Sequence, residues 1–235
     1  MKKLMMVASA IALAGSMITG CATGGDGEDK VAAWQKERTP VEVLKSKIEI
    51  KAAGAVVEAL DVAPYGIYKA IADKVDGMAA MDRSRRSYQM YVGSIKEYQE
   101  QQGMSKADAV KKANADLNAL ENAAQLKADI KAYLAQAEKT DFEACAQWIA
   151  KITEELQKAS EKFAQESPNA LQQLMDIAQK EGGMALLKIP SQGKDDLAVI
   201  GAQLADSGKG LALYIEMVNA DKEAAKMQAE YPIEG

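Results

Sequence analysis

The sequence predicts an all-α protein, an elongated antiparallel bundle of about five to six helices with coiled-coil-like stripes. Three observations carry this. The chain is 48% apolar but only 5% aromatic, and it is rich in Ala, Leu, Lys, Glu and Gln, residues that favour helix over sheet. Apolar residues recur at alternating three- and four-residue spacing over long stretches, and no segment shows the two-residue alternation of a strand. Finally, the prolines (Pro40, Pro64, Pro168, Pro190 and Pro232) fall beside helix-start signals or between periodic runs, where a missing backbone donor costs least.

In chain order, Met1-Lys-Lys leads an apolar run from Leu4 to Ile18, too short for the ~20 residues of a spanning helix. It ends in Ile18-Thr19-Gly20-Cys21. This resembles the signal peptide and lipobox of bacterial lipoproteins. The resemblance covers residues 1–22 only; the body resembles no family. It implies a signal peptide over 1–20, cleavage before Cys21, and a diacylglyceryl group on the Cys21 sulfur, with further acylation (palmitate-type chains) in a Gram-negative host. Two or more chains give stable membrane anchoring where one gives only marginal binding. Ala22, in the place where an Asp would favour inner-membrane retention, implies the outer membrane. The partners implied are the membrane itself and an envelope protein.

Residues 21–39 read as the lipidated Cys and a flexible acidic tether opening with Gly-Gly-Asp-Gly-Glu-Asp, the eighteen residues from 22 spanning roughly 23 Å as coil. Trp34 lies within it, expected to dock on the bundle rather than on lipid. The helical domain is placed at 40–235. Thr39-Pro40-Val41-Glu42 reads as a capping box with Pro at the first helical position and starts a helix over 40–61. Further helices are expected over 64–102, 105–138, 140–166, 168–181 and 194–230. Ser105 and Thr140 supply caps, and Ser167-Pro168 restarts the chain. Residues 182–193 are expected as a loop, and the last helix is expected to break near Gly208 and Gly210.

The clearest stripe is Phe142, Cys145, Ile149, Ile152, Leu156, Ala159, Phe163. In 105–138 the stripe shifts, from Leu117, Leu120 and Ala124 to Leu126, Ile130 and Tyr133. A helix over 64–102 would be about 58 Å long, which favours an elongated bundle. Gly201 and Gly208 make one side of the last helix small, as close helix packing needs. The Met184–Ile189 and Leu197–Ala205 stretches are the most apolar of the body, yet too short to span a bilayer.

The chain has no histidine. This removes the commonest general base and metal ligand together. The only cysteine besides Cys21 is Cys145, on an apolar stripe, so a Cys-His nucleophile and an internal disulfide are both excluded once Cys21 is lipidated. Adjacent acids such as Glu154-Glu155 and Asp195-Asp196 diverge by about 100° on a helix and do not converge for acid/base work. No phosphate-binding loop, dinucleotide fingerprint or nucleophile elbow occurs. The expectation is therefore no enzyme, no cofactor and no metal. Net charge is −5, becoming −7 when Lys2 and Lys3 leave with the signal, which disfavours nucleic acid.

One cluster stands out: Arg83, Arg85 and Arg86, with Tyr88 and Tyr91 a turn on, a candidate patch for an anion or an acidic partner. Arg85 falls on the apolar stripe of its helix, so either it meets a carboxylate across the bundle or the stripe ends there. The function expected is a lipid-anchored adaptor or scaffold binding through helix faces. A membrane-perturbing helical protein and a small-ligand carrier with a cavity between helices remain alternatives.

Overall fold

A computed structural model describes residues 29–234; the candidate lipobox, Ile18 to Cys21, lies outside the described residues. Seven helices occur among them: α1 (Lys30–Glu37), α2 (Lys51–Ala79), α3 (Asp82–Gln102), α4 (Lys106–Asn118), α5 (Ala123–Glu138), α6 (Phe142–Glu181) and α7 (Ala185–Met227). No strand is present among the described residues.

The frame is a three-helix bundle of α2, α6 and α7. The α6–α7 hairpin turns on Gly182 and Gly183, both at positive φ (69° and 55°), where any other residue would be strained. Gly193 of α7 lies against Leu174 of α6, Gly201 against Phe163, and Tyr214 against Cys145 and Trp148, so the two helices run antiparallel. Ile71 of α2 faces Gly210, while the N-terminal end of α2 sits level with Asp196, so α2 runs parallel to α7. The core between them centres on Val57, Tyr68, Ile71, Val75, Leu174 and Ile200. A second core, built on Tyr88, Ile95, Ala113, Ile130 and Tyr133, joins α3, α4 and α5 to the C-terminal end of α7.

Several element boundaries differ from those the sequence predicts, each for a physical reason. Residues 39–50 form an extended strap, not the start of a helix, and α2 begins only at Lys51. Tertiary acceptors take the donors a helix would have used: Leu44 N–H bonds the Asp61 carboxylate at 2.8 Å, Ser46 N–H bonds Glu58 at 3.1 Å, and Thr39 gives both its N–H and its hydroxyl to Asp206 at 2.8 Å. Pro64, Pro168 and Pro190 lie inside helices instead of between them. Each removes one hydrogen bond, and burial of the helix face on both sides carries the helix through.

The expected 64–102 helix breaks at Ala80–Met81, and the expected 105–138 helix breaks at residues 119–122. The second break precedes the shift of the apolar stripe, which falls between Ala124 and Leu126 inside α5. The expected loop 182–193 reduces to the glycine turn, with α7 already helical from Ala185, and α7 continues unbroken through Gly208 and Gly210. The small side of α7 is also placed differently. Gly193 and Gly210 are the close approaches, whereas a Cβ on Gly208 would meet nothing within 4 Å. The long members are therefore α6, 40 residues, and α7, 43 residues, about 60 Å and 65 Å in length.

Part of the segment assigned to the tether is ordered on the bundle. Asp29 caps α1 by accepting from Ala32 N–H at 2.9 Å. Trp34 is buried as expected, its indole N–H donating to the Asp206 carbonyl at 3.2 Å, with the Arg38 guanidinium 4.7 Å from the ring centroid.

Candidate functional site

The five residues of the expected patch do not share one surface. Arg83 is exposed. Arg85 is buried at 3% exposure, and Tyr88 and Tyr91 are buried with it. Arg86 is partly buried and pairs with Asp29 at 2.9 Å and Asp82 at 3.1 Å, tying α3 to the cap of α1. Of the three guanidinium groups, Arg83 is exposed, Arg86 is partly exposed and paired, and Arg85 is buried in a junction.

The junction answers the oddity of Arg85 on an apolar stripe. Its Nε donates to Asp221 at 2.7 Å and its Nη1 to Asp82 at 3.0 Å, and Tyr133 donates its hydroxyl to the same Asp221 oxygen at 3.0 Å. Burial works against the Arg85 charge, but the hydrogen bond it donates to Asp221 and the surrounding negative charge outweigh it and raise its pKa. Burial, reinforced by Asp221, likewise raises the Tyr133 phenol, so it stays a donor. Asp221 is the residue that sequence reasoning missed. The signal was present: Leu211, Tyr214, Val218 and Asp221 continue one three-four stripe, so an acid on one apolar stripe matches a base on another.

A second polar cluster holds the C-terminus. Asn114, 2% exposed, donates its amide to the Tyr91 hydroxyl at 2.9 Å and to the Pro232 carbonyl at 3.1 Å, and accepts from Glu234 N–H at 2.9 Å. Tyr91 also donates to the Pro232 carbonyl at 2.7 Å. Burial pushes the Tyr91 hydroxyl up to about 12, so it too remains a donor. These groups hold residues 232–234 against α3 and α4.

On the outside of α3, Arg83, Ser87, Met90 and Ser94 follow one another at helical spacing. Ser87 and Ser94 turn their hydroxyls back onto the Arg83 and Met90 carbonyls at 2.9 and 3.1 Å. Met90 is 73% exposed, and Arg83 has no ion-pair partner among the described residues. The result is a low strip bounded by one cation and one thioether.

Two depressions in the surface of the described residues open broadly to solvent. One, about 440 Å³, lies between α4 and α5 beside Asn118, Ala124, Lys127 and Lys131; the other, about 390 Å³, lies between α1 and α7 beside Trp34, Arg38, Lys209 and Glu216. No group of three or more Cys, Asp or Glu side chains suited to a metal ion occurs among the described residues, and no described helix is long and apolar enough to cross a membrane. Cys145 is partly buried, its sulfur accepting from the Tyr214 hydroxyl at 3.5 Å. Glu154 and Glu155 pair with Lys158 and Lys151, while Asp196 is buried against Ser46. Among known proteins, no family model, no curated protein and no solved structure matches this chain.

Proposed function

We propose that the chain is a lipid-anchored bacterial envelope protein, held by acyl chains on Cys21, that acts as an adaptor or scaffold through its helix surfaces. The observation that carries this reading is the Ile18-Thr19-Gly20-Cys21 lipobox, which ends eight residues before an all-helical body. The outer membrane is the favoured location in a Gram-negative host, because Ala22 follows the cysteine. The heptad-like stripe from Phe142 to Phe163 supports coiled-coil-like packing of α6 within the body.

The partner surface we assign is the Arg83–Met90 strip of α3. An arginine and an exposed methionine beside small residues suit docking of an apolar and acidic helix face on an envelope protein. The buried Arg85–Asp221 junction supports this role, because it fixes α3 relative to the long bundle and so presents the strip in one orientation.

Two experiments test the reading. A clickable fatty acid should label the wild-type protein in cells, and Cys21→Ser should abolish the label and release the protein from the membrane fraction. Retained label in the variant sinks the anchor. A photoreactive residue at position 83 or 90 should trap one dominant envelope protein, and the same residue at position 158 on α6 should not. Equal, scattered adducts from all three positions would remove the strip as the interface.

A further inference from the structure

The exposed apolar side chains concentrate at the tip of the α6–α7 hairpin. Met184 is 64% exposed, Leu186 47% and Leu187 71%, three large apolar residues within four positions, directly after the Gly182-Gly183 turn. Neighbouring Ala185 and Ile189 turn inward onto the bundle core, so the outward set is not simply a frayed end. Water-exposed apolar clusters of this kind mark binding surfaces.

The surrounding charge says what kind of surface fits. Residues 180–196 carry exposed Lys180, Lys188 and Lys194 against exposed Glu181 and Asp195, while Asp196 is buried against Ser46, so the exposed surface carries more positive than negative charge in a chain of net charge −5. The strap enters α2 at the same end of the bundle, since Ile48 contacts the Gly193 site and Ser46 bonds Asp196. It adds Lys45, Lys47 and Lys51, against Glu49, within about 12–17 Å of the tip along the axis. All six lysines are exposed, and none has an ion-pair partner among the described residues. Elsewhere on α6 the lysines are spent on carboxylates: Lys151 on Glu155, Lys158 on Glu154, Lys162 on Glu166. Leucine and methionine at the apex, ringed by uncommitted lysines, match an interface that is apolar inside and anionic at its rim.

We propose that the α6–α7 tip docks on an anionic lipid surface, with Met184, Leu186 and Leu187 entering the acyl boundary and the lysines meeting lipid phosphates. The contact is peripheral, because the tip is far shorter than a spanning segment. It does not depend on acylation of Cys21. If Cys21 is acylated, the eight residues from it to Asp29 reach at most about 29 Å. Asp29 lies near the level of Glu216, which Lys30 contacts, about 46 Å from the tip along α7. Anchor and tip then meet one bilayer only when the bundle lies along it.

The test uses the chain from Ala22 onward, which carries no acyl group and retains every residue of both cores. Binding is measured by co-sedimentation with vesicles of phosphatidylcholine alone and of phosphatidylcholine mixed with phosphatidylglycerol. Binding to the anionic vesicles should be about tenfold or more tighter, and should weaken with added salt. Leu186→Ser with Leu187→Ser should lose about tenfold. Lys180→Glu with Lys188→Glu should lose the preference for anionic lipid. Val62→Ser, exposed on α2 instead, should bind as wild type. All these sites are exposed, so unchanged thermal melting separates lost docking from lost folding. No binding, equal binding to both vesicles, or full binding by the tip variants would overturn the proposal. A negative result here leaves the Cys21 labelling experiment untouched, and the reverse holds.

Discussion

Arg85 and Asp221 lie 136 residues apart in the chain and meet side by side, Nε to Oδ1 at 2.7 Å and Nη2 to Oδ2 at 3.4 Å. This pair joins α3 to the far end of α7, at the seam between the two cores. Removing one partner strands the other charge in a buried site. Asp221→Ala should therefore destabilise the chain by about 3 kcal/mol, the lower end of the range for broken buried pairs, because Asp82 still accepts from Arg85. Arg85→Met combined with Asp221→Leu should recover much of that loss, since no charge is left uncompensated. Urea denaturation of the three chains checks both; a double variant no better than Asp221→Ala would mean that the seam is held by packing instead.

Gly210 and Gly208 should respond oppositely to a methyl group. A Cβ on Gly210 would sit 2.6 Å from Trp34 Cζ2 and 3.0 Å from Ile71 Cγ2, so α1 or α7 must shift. Gly210→Ala should cost roughly 1–3 kcal/mol and move Trp34 toward water. Its emission should shift to the red in a Trp148→Phe background, where Trp34 is the sole tryptophan. A Cβ on Gly208 meets nothing, so Gly208→Ala should stabilise α7 by about 0.5–1 kcal/mol through helix propensity alone. Equal melting shifts in the same direction for both variants would contradict the close approach of Trp34.

The helical class was readable because periodicity and composition are summed over many residues. Boundaries were less readable because each turns on a few local competitions. The Thr39 capping box is a sound local signal, yet Asp206 captures Thr39 and Asp61 captures the Leu44 N–H, and neither acceptor is visible from the strap's own sequence. Pro64, Pro168 and Pro190 read as punctuation, but in long buried helices each costs a single bond. The stripe shift after Ala124 falls inside α5 and so does not locate the α4–α5 break at residues 119–122. The arginine cluster was legible as unusual; its meaning required Asp221, whose own anomaly is an acid on the α7 stripe.

Asn114 should act as the latch of the C-terminal tail. It holds the Pro232 carbonyl and the Glu234 N–H at once, and Tyr91 repeats the first contact. Asn114→Ala leaves the Glu234 N–H without its acceptor and should cost about 1–3 kcal/mol. The loss should be local as well as global. Amide exchange at residues 228–234 should accelerate more than exchange in α6, whose buried residues belong to the other core. Uniform acceleration along the chain would point to general loosening of the second core rather than release of a latch. Asn114→Asp keeps the acceptor for Glu234 N–H but loses the amide donor, so it should leave Pro232 held by Tyr91 alone and keep part of the protection.

The strap should tighten as pH falls, and Asp61 is the reason. The residue is 2% exposed; one carboxylate oxygen accepts from Leu44 N–H, and the other, Oδ1, has no hydrogen-bond partner among the described residues. Burial raises its pKa above the ordinary 3.8, with the Leu44 bond pulling the other way. The folded chain therefore holds this proton more tightly than the unfolded chain. Between the unfolded value, about 4, and the raised folded value, the folded state binds more protons, so stability falls as pH rises through that window. Above it the penalty is complete; below it the penalty vanishes. Asp61→Asn keeps an acceptor for Leu44 and carries no charge. The melting temperature of Asp61→Asn minus that of wild type should be positive at neutral pH and shrink toward zero as pH drops through the window. Other carboxylates contribute equally to both chains and cancel in the difference. A difference that stays constant with pH would show that Asp61 is ionised in both states at no cost, and that the strap is held by Thr39, Ser46 and their acceptors alone.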